Sequence, residues 1–259
     1  MTSNTAAANV PAITTEKPEA HRTMQPRTPG ALLIAGPLIF FLAEFIAAAA
    51  WTDPPYSYTF HFISDLGVRG PSTLFGQYMY SPLAWVMNAG FFFFGITILA
   101  GVVLLRGLRG WRRWAALAPA TLLAVGGVLL GVFHGSGEAL NDGTGEFHSL
   151  GAFAGFIGAN VLAIVLGSMR RRLGFSPTLG RALVTVGVIG LLSMTLYLIA
   201  IFSAGDTVTG IIGFIERGAA YPFLIGLIVT GATIWNRGTL DTPRAGSTGA
   251  GEEGSTPSR

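Results

Sequence analysis

The chain has 259 residues, of which 51% are hydrophobic and 11% charged, and its formal net charge is +3. A soluble domain normally carries about 25% charged residues, so this balance excludes an ordinary soluble fold and points to a polytopic membrane protein. The basic excess sits beside apolar runs, which argues against a nucleic-acid partner, and the absence of cysteine excludes disulfides, thiolate nucleophiles and cysteine-based metal sites.

Residues 1–29 are rich in Thr, Ala and Pro and read as a disordered cytoplasmic tail, because they cannot bury enough apolar surface to offset their ordering entropy. The first apolar run, 31–51, is long enough to cross the hydrocarbon core and contains Gly36-Pro37 and one acid, Glu44. Arg22 and Arg27 ahead of a run ending in Ala47–Ala50 also fit a cleaved signal peptide, but the tail is long and Glu44 interrupts the apolar segment. The connection 52–81 is aromatic, with Tyr56, Tyr58, Phe60 and Tyr80 suited to the headgroup zone. Within it, His61 and Asp65 stand four apart, close enough to meet on one helical turn that Gly67 could end.

Ser81 as N-cap and Pro82 at the first helical position predict a second span over 83–105, ending in Arg106, Arg109, Arg112 and Arg113. A third span, 114–133, leads into the polar connection FHGSGEALNDGTGEFHSLG at 133–151, where Asn141-Asp142-Gly143 is a tight-turn signal. The fourth span, 149–169, runs into Arg170, Arg171 and Arg172, and Ser176-Pro177 marks a break before Arg181. A fifth covers 182–202. The sixth ends near Trp235, with its start ambiguous between Gly210 and Gly218 because of Pro222. From Gly238 onward a second disordered cytoplasmic tail is expected.

The expected architecture is therefore an all-α, six-helix transmembrane bundle over residues 30–237, in the plasma membrane, with both termini cytoplasmic. The positive-inside rule supports it: fourteen of the sixteen Lys and Arg fall on the cytoplasmic segments, leaving only Arg69 and Arg217 outside. Cleavage of the first run would leave five spans in unchanged orientation. Gly127-x-x-x-Gly131 and Gly151-x-x-x-Gly155 would let spans three and four approach closely.

The outer side carries the chemistry. Glu44 is an ionisable group inside an apolar run, where such groups are costly and face a protein interior or a water-filled cavity. Glu44 and Asn88 lie at a similar depth, some ~10 Å below the outer boundary, and could share a hydrogen bond if spans one and two are neighbours. Arg217 stands against the charge trend and could neutralise Glu44 or an anionic ligand, or pair with a surface acid. Asn160 and Tyr197 could extend a polar interior. Glu44, His61, Asp65, Asn88, His134, His148 and Arg217 form the candidate pocket for a small-molecule or lipid ligand, with transport as a further reach.

Two other functional classes fit. His134 and His148 with Glu138 could hold a divalent metal, as in a membrane-embedded hydrolase acting on lipid or peptidoglycan precursors, although no HExxH occurs and the intervening glycines argue against a helix there. A scaffold or complex subunit without a small-molecule site is the third. The sequence leaves open whether the protein is an enzyme, and the partners it points to are membrane lipid and a small-molecule or lipid ligand.

The segments HFISDLGVRGPS, SPLAWVMNAGFFFFGITILAG, GVFHG and FHSLGAFAGFIGAN resemble a bacterial family of integral membrane proteins catalogued as a domain of unknown function, numbered 998. The likeness covers roughly residues 30–235. Its recurrent features fall on Ser64, Asp65, Leu66, Gly67, Asn88, His134, His148, Gly151 and Asn160. It implies a six-helix bundle and supplies no substrate or catalytic residue.

Overall fold

The structure, a computed structural model, describes residues 27–203, 207–208 and 210–240, with side chains up to 237. Among the described residues, six helices are long and apolar enough to cross a membrane: α1 (Arg27–Ala50), α2 (Ala84–Val103), α3 (Trp111–Val132), α5 (Gly145–Ser168), α7 (Pro177–Ser203) and α8 (Ile212–Leu240). Two short helices, α4 (Gly137–Asp142) and α6 (Arg170–Leu173), lie between spans. The protein is a multi-pass membrane protein.

Where the helices begin follows from the chemistry of their first turns. Pro29 falls in the first turn of α1, where no intrahelical N–H is needed, so the helix starts before the predicted boundary. At α7, Ser176 accepts the Leu179 N–H at 3.1 Å with Pro177 as first helical residue, so the predicted break is a helix start. The same reasoning fails at Ser81-Pro82. The Ser81 N–H donates to Val68 O at 3.0 Å, tying the preceding connection down, and α2 starts only at Ala84. α8 runs through Pro222 without interruption, since an apolar segment in lipid must satisfy its backbone internally. The expected tails lie almost wholly outside the described residues, as does Asp206, although residues 27–29 and 238–240 prove helical.

The spans pack as a closed ring. Each of α1, α2, α3, α5, α7 and α8 contacts the next, α8 returns to α1, and α5 also touches α8 across the interior. Close approach of α3 and α5 rests on Gly126, where a Cβ would collide with the backbone of Gly151 and Gly155. Gly127 and Gly131 instead face α2, against the carbonyls of Phe91 and Asn88, so only one of the two predicted small-residue motifs meets the intended neighbour.

The connection from α1 to α2 forms a cap over one end of the ring. It holds a 3-10 turn at Ser64–Gly67 and an antiparallel hairpin, β1 (Ser72–Leu74) with β2 (Gln77–Met79). Phe75 and Gly76 turn the hairpin with φ of 51° and 75°, the left-handed pair that suits a two-residue turn. The predicted loop between α3 and α5 contains α4, capped by the Ser136 hydroxyl accepting the Ala139 N–H at 3.1 Å and ended by Gly143 at φ 83°. Glycine therefore bounds this helix and does not prevent it, correcting the expectation of an unfixed loop.

Candidate functional site

Glu44 and Arg217 meet beneath the cap. Glu44 projects from α1 with 0% exposure and Arg217 from α8 with 6%, and ring closure makes these helices neighbours. Arg217 Nη2 and Nε donate to Glu44 Oε1 at 2.9 and 3.2 Å, and the Tyr221 hydroxyl, one turn on, donates to the same oxygen at 2.8 Å. Glu44 Oε2 is buried without a hydrogen-bond partner among the described residues.

The rest of the guanidinium binds the cap. Its Nη1 donates to the carbonyls of Tyr58 (2.7 Å), His61 (3.1 Å) and Gly213 (3.0 Å), and Nη2 donates to the Tyr56 hydroxyl at 2.5 Å. The Tyr56 and Tyr58 rings lie 5.6 and 4.9 Å from its central carbon, within cation–π range. Arg217 thus satisfies its donor set while joining α1, α8 and the cap. This is the way a buried charge becomes tolerable.

Two more acids lie close by. Glu216 Oε2 accepts the Ile63 N–H at 2.5 Å, and Asp65 Oδ2 accepts the Phe62 N–H at 2.9 Å. Both are nearly inaccessible, at 4% and 2% exposure. Burial, reinforced by the neighbouring Glu216 charge, pushes the Asp65 carboxyl well above the usual carboxylate range. His61 stacks on Tyr56 at 5.3 Å and packs against Trp51 at 4.9 Å, and its Nδ1 accepts the Ser57 N–H at 2.9 Å. Burial holds its pKa below the ordinary histidine value, so the neutral ring is part of the cap's packing. Burial likewise raises the Tyr56 hydroxyl well above its usual pKa, and it donates to Phe62 O at 2.9 Å.

Of the predicted pocket residues, the fold unites Glu44, His61, Asp65 and Arg217. Asn88 does not bond Glu44. Its Nδ2 donates to Gly67 O at 3.0 Å, and it packs so closely on Gly67 that a Cβ there would overlap its Oδ1. Asn88, His134 and Glu138 line a separate polar groove of about 790 Å³ together with Arg69. His148 joins neither group, its Nδ1 standing 2.9 Å from Phe133 O. Glu138 accepts the Ser72 hydroxyl at 2.6 Å, a bond that lowers its carboxyl pKa, while His134 is exposed. Among the described residues no three His, Asp or Glu side chains are grouped to hold a metal ion. Asn160 joins α5 to α8, donating to Ala219 O at 3.0 Å, and Tyr197 packs edge-on to Phe62 at 5.8 Å.

Below Ile63 and Ser64, an apolar slot of about 50 Å³ opens in the middle of the ring. Phe40, Phe91, Phe94, Phe156 and Phe223 supply its aromatic walls, and Glu216 is its one ionisable lining residue among those described. A Cβ added at Gly155, on the same wall, would meet nothing within 4 Å. Sequence reasoning did not single out Glu216 or Tyr221, and it read Tyr56 and Tyr58 only as rings of the headgroup zone. The available signal was helical spacing, since Tyr221 follows Arg217 by four residues and so shares its face.

No curated protein and no solved structure matches the chain. A family model described as "Protein of unknown function (DUF998)" matches residues 34–233, a stretch that contains Glu44, the cap, the slot and Arg217. That match takes in nearly the whole bundle and all of its buried charges, and the chain belongs to this family.

Proposed function

We propose that this protein binds a small ligand or lipid beneath the cap, in the slot, which opens beyond its resting volume of about 50 Å³ to admit the ligand's apolar body, with Glu216 addressing its polar end. The observation that carries this reading is the slot itself: among the described residues, aromatic walls from four spans converge on a single carboxyl group. An ionisable group within an apolar span is costly and marks a candidate site. Glu216 remains facing the space.

The cap faces away from the cytoplasm in this proposal, and both termini face inward from the plasma membrane. What supports the orientation is the gathering of Arg106–Arg113, Arg170–Arg172, Arg181 and Arg237 at the ring end opposite the cap, where Arg27 also lies 5.7 Å from the Trp235 ring.

The test uses the full chain in detergent with the environment-sensitive apolar dye N-phenyl-1-naphthylamine. Wild type should give saturable fluorescence enhancement beyond empty micelles, and Gly155→Leu, which fills the slot from an open position, should remove it. Equal enhancement in both proteins would refute binding in the slot.

A further inference from the structure

We propose that a second pocket, at the ring end opposite the cap and independent of the slot, binds the phosphate headgroup of an anionic phospholipid. It lies where α3 begins and α5 ends, has a volume of about 400 Å³, and is lined by Arg112, Arg171 and Arg172. Ligand sites commonly span ~300–1,000 Å³, so the pocket has room for a headgroup while the acyl chains stay in the bilayer.

The charge around this pocket is of one sign. Among the described residues no acid lines it, and the segments 104–113 and 169–181 that frame it contain no Asp or Glu. Other arginines at the same end are occupied: Arg113 donates to Val103 O at 3.1 Å and Arg237 to Leu173 O at 3.3 Å, each holding the last carbonyl of a helix. Arg112, Arg171 and Arg172 form no hydrogen bond or ion pair among the described residues, and Arg112 only stands over the Trp111 ring at 5.0 Å. Three like charges facing one space repel one another, and an anion that enters relieves the repulsion. The guanidinium fork matches phosphate oxygens two at a time. Orienting the spans requires basic residues at this end, but it does not require three of them to share one cavity.

The remaining lining selects a lipid as the source of the phosphate. Ala115, Val165 and Met169 give the pocket an apolar wall, and Trp111 at its edge is 66% exposed, as suits an indole in the headgroup zone. A soluble phosphate would leave that wall unused, whereas a phospholipid lays its glycerol and upper acyl chain against it. The same arginines disfavour a zwitterionic lipid, whose ammonium group they repel.

The test measures thermal unfolding of the purified full chain in uncharged detergent with dioleoylphosphatidylglycerol, dioleoylphosphatidylcholine, which has the same acyl chains without the net charge, and inorganic phosphate. Wild type should be stabilised by phosphatidylglycerol at concentrations about tenfold or more below those needed for phosphatidylcholine, the worth of one charge-assisted contact. Arg171→Gln with Arg172→Gln, both exposed positions, should lose this preference. Arg109→Gln with Arg181→Gln removes the same charge from outside the pocket and should keep it. Equal responses to the two lipids in wild type would overturn the proposal, and so would an equal loss of preference in the two double variants, which would reduce the effect to overall charge. A response to inorganic phosphate as strong as that to phosphatidylglycerol would overturn the lipid assignment and give the guanidinium site to a soluble phosphate.

Discussion

Removing the Arg217 side chain would leave Glu44 buried without a counter-charge and would release the cap carbonyls of Tyr58 and His61 at the same time. Loss of one partner from a buried pair costs about 3–5 kcal/mol, so Arg217→Met should lower the unfolding temperature sharply. Adding Glu44→Gln should restore part of the loss, because the stranded charge is then gone. A double variant no more stable than the single would show that cap anchoring and not charge balance dominates. Asp65 gives a second expectation. Its folded pKa is raised, so its contribution is fully present below the unfolded value of about 3.9 and is lost as pH rises through the folded value. His61 works in the other direction: its folded pKa is lowered, so its contribution is present above about 6.5 and is lost as pH falls. The unfolding temperature of wild type should therefore decline with rising pH over Asp65's window, and Asp65→Asn should flatten that limb while leaving the acid-side loss. An unchanged profile in Asp65→Asn would remove Asp65 from the account. Glu44 and Arg217 were legible in the sequence because an ionisable group stands out against apolar neighbours. Asn88 was misassigned because α1 and α2 do adjoin but equal depth says nothing about which way a side chain is turned, and Asn88 is taken by the Gly67 carbonyl of the cap.

At the scale of elements, the α3–α5 contact depends on backbone approach, and neighbouring glycines differ in what they permit. Gly126→Ala would drive a methyl group into the backbone of Gly151 and Gly155, an overpacking that costs about 1–3 kcal/mol. Gly155→Ala points into open space and replaces a poor helix former, so it should be neutral or stabilising by up to about 1 kcal/mol. Chemical denaturation of the two variants side by side checks the contrast, and equal destabilisation would contradict the packing described. Six spans could be read from length and hydropathy alone, since a bilayer imposes both. The short elements could not. Strands of three residues in the cap carry too little alternation to be recognised, and α4 is framed by the glycines that had argued against it.

For the whole molecule, ring closure of α8 on α1 turns separate spans into an enclosed interior, and that closure was invisible in a sequence without internal repeats. It also explains why the chemistry gathers at one end: the cap, the ion pair and the slot all use residues that are far apart in the chain. The arginine-rich turns at the other end lead to a simple expectation. A cytoplasm-dependent fluorescent reporter fused after Arg237 should be active, and a cysteine placed at Asp142 should react with an impermeant thiol reagent from outside. Reversal of either result would invert the proposed orientation. The slot as a binding site is tested most directly by native mass spectrometry of the full chain released from its own membrane. Wild type should carry a bound small molecule that Gly155→Leu lacks, whereas identical spectra for two folded proteins would contradict the account.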